Sequence, residues 1–260
     1  MEKKLTIDEQ KRVQLDILLE VDAFCRQNGI KYSLAYGTLL GAVRHSGYIP
    51  WDDDLDIMMP LPDMLKFQNT FNSSRIKCYG YGVTPRYENP YANVCSTYTY
   101  RKVGLFYKDR GLGIDLYPLI GLPESDSDIN DFFLIANDLN EKRKKAMINQ
   151  LRLKKVLPFK WVNYPQFDKI IREFTEFALT RTDYSQAKKF YLLARPMCRK
   201  DIFDYDFFDN MTDMLFEGYS FPVIADYDKV LRTLYGDYMK LPPEKDRCPH
   251  HGQIYCWKYE

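Results

Sequence analysis

Apolar residues recur at helical spacing through Val13, Ile17, Val21 and Phe24, behind a Thr6-Ile7-Asp8-Glu9 capping-box pattern. Gly29 stands in the position where a helix closes, so the first helix is predicted to end there. Ile30–Tyr36 reads as a first core strand, and Leu39–Val43 as the opening turns of a short second helix. From Asp54 to Ile57 the pattern switches to alternation, with Asp54 and Asp56 on one side and Leu55 and Ile57 on the other. Pro60-Leu61-Pro62 breaks that strand and starts a helix over Asp63–Phe71, with Met64, Leu65 and Phe67 inward. Runs rich in Tyr, Val and Thr predict strands at Ile76–Tyr81, Val94–Lys102 and Gly104–Tyr107. Gly113–Leu119 is an apolar strand carrying one acid, Asp115. Residues 122–200 turn helical, over Ile129–Ile148, Pro165–Thr180 and Tyr184–Leu193. A last helix is expected over Asp226–Tyr235, closed by Gly236. The fold class is α/β (α+β): a mixed sheet core with flanking helices and a helical insertion. The expected division is a core over residues 1–121, a helical subdomain over 122–200, and a C-terminal segment, 201–260, that returns to the active site.

Composition narrows the partners. With 37 basic and 36 acidic side chains the net charge is +1, which excludes a protein that coats a nucleic acid polymer through a dominant basic face. No apolar run approaches the roughly 20 residues needed to cross a bilayer, and the MEKKLTIDEQKR start has no signal-peptide character. The six cysteines form no CxxC pair and are expected to be reduced, which points to the cytoplasm. Cys248, His250, His251 and Cys256 fit no common structural zinc spacing. Lys142, Arg143, Lys144, Lys145, Arg152, Lys154 and Lys155 make a basic helical region. It reads either as a solvated face or as a docking surface for an acceptor on an anionic lipid, or for the inner face of the membrane itself.

The chemistry concentrates in YGTLLGAVRHSGYIPWDDDLDIMM, Tyr36 to Met59. Asp54 and Asp56, on one face of a semi-buried strand, repel each other unless a hard cation, Mg2+ or Mn2+, lies between them. Gly37-Thr38 at a strand-to-helix turn brings backbone N–H groups and a hydroxyl to a phosphate. Asp115, between Ile114 and Leu116, is costly to bury without a cation or a hydrogen-bond partner. The Pro242-Pro243 pair stiffens a loop that carries Arg247, His250 and His251, side chains suited to phosphate oxygens.

A Gly-Thr pair, a spacer and an acid–apolar–acid strand resemble the nucleotidyltransferase superfamily. The full string is similar to the narrower LicD family hallmark, GTLLGAVRH-x-G-h-IPWDDD-h-D. The GIDLYPL segment and the YGDYMKLPPEKDR ending also resemble that family. The resemblance implies a nucleotidyltransferase-like core with Asp115 as the third metal acid. It also implies a CDP-alcohol donor, CDP-choline first, whose phospho-alcohol passes to a hydroxyl of a cell-surface glycan such as a teichoic acid, with release of CMP. The metal and catalytic set is then Asp54, Asp56 and Asp115. The substrate-binding set is Gly37, Thr38, Arg44, His45, Trp51, Asp53, Arg247, His250 and His251. Asp115 is the first candidate for the acceptor's proton and Asp53 the second. Two other readings stay open: a nucleotidyltransferase that uses an NTP and releases pyrophosphate, and a non-catalytic nucleotide-binding protein.

Overall fold

The capping box closes: the Thr6 hydroxyl accepts from the Glu9 N–H at 3.2 Å, and the Glu9 carboxylate accepts from the Thr6 N–H at 2.8 Å. The helix it starts, α1 (Ile7–Asn28), buries Val13, Ile17, Leu18, Val21 and Cys25 and ends on Gly29 in the left-handed region, φ 60°. A computed structural model describes residues 3–85, 87–103, 107–156, 166–193, 199–249 and 254–258. After α1 come β1 (Ser33–Leu34), α2 (Tyr36–His45), β2 (Asp56–Pro60), α3 (Leu61–Thr70), β3 (Ile76–Tyr79) and β4 (Ala92–Ser96). They are followed by β5 (Thr99–Val103), β6 (Tyr107–Asp109), β7 (Gly113–Leu122), α4 (Asp126–Val156) and α5 (Phe167–Thr180). The chain finishes with β8 (Lys189–Leu192), β9 (Ile202–Phe203), β10 (Met211–Phe216), β11 (Tyr219–Ile224), α6 (Tyr227–Tyr235) and β12 (Tyr255–Trp257). The mixed α/β class expected from the pattern is the class observed. No described helix is long and apolar enough to cross a membrane.

The chain divides into two compact units. The first comprises Met1–Tyr79, Ala92–Pro118 and Phe207–Glu260. Its sheet runs β1-β2-β7-β4-β3, with β1 antiparallel to β2 (Ser33 opposite Met58, Leu34 opposite Ile57) and β4 antiparallel to β7 (Asn93 opposite Asp115). Phe24 of α1 meets Phe67 and Phe71 edge-on at 5.6 and 5.1 Å, so one aromatic cluster joins α1 to the α3 segment. A smaller sheet, β12-β5-β6, and the β10–β11 hairpin complete the unit. The second unit comprises Gly80–Tyr91 and Leu119–Asp206. There α4 and α5 accompany the end of β7, where Leu119 lies opposite Leu192, and β8 in turn pairs with β9.

Several elements differ from expectation. The first strand is only Ser33–Leu34, and α2 begins at Tyr36, so Gly37 and Thr38 lie inside its first turn rather than before it. The second strand begins at Asp56, leaving Asp54 and Leu55 in the approach to it. Residues 94–102 are two strands, because the chain turns at Thr97-Tyr98. Of the expected strand at 104–107, residues 104–106 lie outside the described residues. Tyr184–Leu193 is not helical through its length: Tyr184–Gln186 forms one 3-10 turn and Lys189–Leu192 is a strand. Phe190, Tyr191 and Leu192 are all buried, and a strand covered on both faces reads as a continuous apolar run that periodicity cannot tell from a helix. Arg143 is not on the basic surface. It is 1% exposed, donates to Asn140 Oδ1 and Glu88 O, and lies over the Phe174 ring.

Candidate active site

Two hydrogen bonds tie the start of α2 to the start of β2. Ala35 N–H donates to Asp56 O at 3.0 Å, and Asp56 N–H donates to the Thr38 hydroxyl at 2.8 Å. Thr38 is therefore a strut between helix and strand. Gly37 has a steric reason. A Cβ there would lie 2.7 Å from Asp52 Oδ2, so only glycine lets the Asp52 carboxylate close on the first turn of α2. That placement sets a negative charge against the positive end of the helix. Tyr36, the first helical residue, has φ 43°, a strained value for an aromatic residue, and its ring meets Tyr117 edge-on at 5.2 Å.

The acids gather. Asp52, Asp53 and Asp54 can place carboxylate oxygens within 4.8 Å of one another. Asp56 is driven far above the ordinary carboxylate range, first by burial and then by the charges of Asp54, Asp115 and Asp52. Asp115 reaches the cluster because its N–H donates to Leu55 O at 3.1 Å, which pins β7 to the residue between Asp54 and Asp56. The charges of Asp54, Asp115 and Asp52 thus all reach Asp56. The nearest consecutive grouping is Asp52-Asp53-Asp54, but Asp52 is committed to the α2 terminus and to the Asp53 N–H. Of the expected trio only Asp54 belongs to that grouping. Carboxylates gathered around a half-buried acid whose proton affinity they raise form a hard-oxygen donor set that suits a divalent cation.

The cationic residues form a second group. Arg44 donates Nη1–H to Tyr238 O at 2.8 Å and Nε–H to His45 Nε2 at 3.0 Å. His45, an acceptor at Nε2, therefore carries its proton on Nδ1; burial and then the Arg44 charge lower its pKa, so it is neutral at pH 7. Arg247 donates to Pro242 O at 2.9 Å and lies over the Trp51 ring at 5.5 Å, and His45 meets the same ring edge-on at 6.4 Å. Burial and then the Arg247 charge push the Arg44 pKa down. Among the described residues no carboxylate pairs with Arg44 or Arg247. Two guanidiniums held near each other at a cost, one of them over the ring of the residue that precedes the acids, suit an anion with several oxygens. His250 and His251 lie outside the described residues.

Sequence reasoning missed the residues that hold this site in shape. Gln14, buried on α1, donates to Asp53 O at 3.2 Å and Gly113 O at 3.4 Å. Glu217, at the positive-φ tip of the β10–β11 hairpin, accepts from the Tyr48 N–H at 3.0 Å and steadies the loop before the acids. Asn93 donates to Asp115 Oδ1. A polar Gln on the buried stripe of α1 was a readable signal; Asn93 and Glu217 gave none, because their partners are distant in sequence.

Residues 29–134 match the family model described as LicD/FKTN/FKRP, nucleotidyltransferase domain. A Haemophilus influenzae protein named lipopolysaccharide cholinephosphotransferase LicD is 30% identical over 96% of this chain and 98% of its own length. The chain belongs to the LicD family. Two shorter matches are to uncharacterized rickettsial proteins. The one from Rickettsia typhi is 45% identical over 25% of this chain and 22% of its own length. The one from Rickettsia prowazekii is 39% identical over 36% of this chain and 34% of its own.

Proposed function

We propose that this LicD-family protein is a phosphotransferase that moves phosphocholine from CDP-choline to a hydroxyl of a cell-surface glycan precursor and releases CMP. The observation that carries the reading is the acid cluster around Asp56 together with the Arg44–Arg247 group, whose Arg247 lies over the ring of Trp51, the residue before Asp52. The H. influenzae relative, named for cholinephosphate transfer to lipopolysaccharide, supports the choline and the glycan. Asp54, Asp56 and Asp115 would hold Mg2+ or Mn2+, which when bound supplies Lewis-acid charge to the donor's diphosphate. Arg44 and Arg247 grip non-bridging oxygens, the Thr38 hydroxyl donates to another, and Trp51 and His45 wall the anion subsite. The acceptor oxygen then attacks the choline-bearing phosphorus, the bond to the CMP oxygen breaks, and a carboxylate takes the hydroxyl's proton. Asp115 already accepts from Asn93 and from Tyr117 Oη at 3.4 Å, which suits a fixed ligand; that leaves the proton to Asp53.

The site works at the cytoplasmic face, on an acceptor that can be lipid-linked. Lys142 and Lys144 of α4 are paired with Asp138 and Glu141, each at 2.7 Å. Lys145 and Arg152 remain beside Ile148 and Leu151, which are 49% and 56% exposed. That mixture fits peripheral contact with an anionic bilayer, at about 1 kcal/mol per basic residue. Sedimentation with anionic vesicles should fall on Lys145→Glu and with added salt; equal binding to neutral vesicles would sink the contact.

The deciding assay incubates the protein and Mn2+ with CDP-choline or with CTP. CMP from CDP-choline, lost in EDTA, is expected. Pyrophosphate from CTP would place the chain with enzymes that use NTPs. Tight nucleotide binding without turnover, unchanged by Asp56→Ala, would mark a non-catalytic binder.

A further inference from the structure

Tyr79 on β3, Asn93 on β4 and Asp115 on β7 are direct cross-strand partners, so their side chains share one face of the sheet. Arg110, in the turn before β7, lies along this row. Its guanidinium carbon is 5.1 Å from the centre of the Tyr79 ring, and its Nη1–H donates to Asn93 Oδ1 at 3.0 Å. The Asn93 amide, with its oxygen taken by Arg110, must turn its NH2 the other way, and there it donates to Asp115 Oδ1. We infer that Arg110 and Asn93 are positioning residues for the third acid. Arg110 fixes the amide orientation of Asn93, and Asn93 fixes the carboxylate of Asp115 against the acid cluster.

The physical need is specific. Asp115 faces other carboxylates, as its effect on Asp56 shows, and the Asn93 amide and the Tyr117 hydroxyl hold its two oxygens against that repulsion. Asn93, bonded to both, passes orientation from the guanidinium to the carboxylate. The Tyr79 ring holds the guanidinium from its other side.

The inference rests on the proposed cation site, and the experiment separates the two. Mn2+ binding is measured by electron paramagnetic resonance on wild type, Asp115→Asn, Asn93→Leu, Arg110→Met and Arg110→Lys, with the melting temperature of each metal-free protein. Asp115→Asn should lose the bound Mn2+. Asn93→Leu and Arg110→Met should bind it about 10–100-fold more weakly, the range for groups that orient metal ligands. Arg110→Lys, which can still donate to Asn93, should recover most of the affinity. With CDP-choline, kcat should fall while donor KM holds, because the Arg44–Arg247 group is untouched. If Asn93→Leu does not fold, the Arg110 pair carries the test. Wild-type Mn2+ affinity in Arg110→Met, with Asp115→Asn defective, would overturn the relay alone. Undiminished binding in Asp115→Asn would overturn the relay and the cation site together.

Discussion

Asp56→Asn is expected to stabilise the metal-free protein while abolishing turnover, because the same charges that attract a cation repel each other without it. The charges of Asp54, Asp115 and Asp52 all act on Asp56. Two unit charges about 6 Å apart repel by roughly 3 kcal/mol at an effective dielectric constant near 20. Water at the half-buried neighbours and salt reduce this, so removing the central charge should return about 2 kcal/mol. In a chain of this length that corresponds to a rise of roughly 4–8 °C in Tm. The pH dependence has a definite sign. Because folding raises the Asp56 pKa, the folded state keeps a proton that the unfolded chain has lost above about pH 4. Metal-free wild type should therefore lose stability as pH rises from about 4 toward neutrality, and Asp56→Asn should flatten that slope. Mn2+ at 100 times its Kd should add about 2.7 kcal/mol to wild type and nothing to the variant. Calorimetry in EDTA and in Mn2+, from pH 4 to 8, reads all of this. A variant less stable than wild type in EDTA, or one that gains as much from Mn2+, would refute the reasoning.

Three other changes test the framework around the acids. Gly37→Ala forces a Cβ to 2.7 Å from Asp52 Oδ2, so the carboxylate must leave the helix end; urea unfolding should show a loss of about 1–3 kcal/mol. Thr38→Val strands the Asp56 N–H, with a cost of about 1–3 kcal/mol that Thr38→Ser should largely avoid in the same measurement. Arg44→Ala and Arg247→Ala should each raise donor KM about 10–100-fold, the worth of a charged hydrogen bond, in steady-state CMP release with the fold intact by circular dichroism.

Local chemistry made much of this protein legible in its sequence. The capping box at Thr6 and Glu9, the stop at Gly29 and the spacing of Val13, Ile17 and Val21 depend on neighbours within one or two helical turns, and the structure has all of them. The acid string and the Arg44-His45 pair were visible for the same reason: their residues are adjacent in the chain. What the sequence could not state was where segments meet. That β7 places Asp115 beside Leu55, that Arg247 lies on Trp51, and that Gly80–Tyr91 belongs to the unit of Leu119–Asp206 are all non-local pairings. The Tyr184–Leu193 segment was misread because a doubly covered strand has no period of its own. Gly37 shows the division most clearly. Its identity was plain, but its purpose, room for the Asp52 carboxylate against the first turn of α2, exists only after the chain has folded back. Propensity and patterning act over a few residues, whereas a charged cluster is assembled by strand pairing across the fold, and only tertiary structure sets those distances.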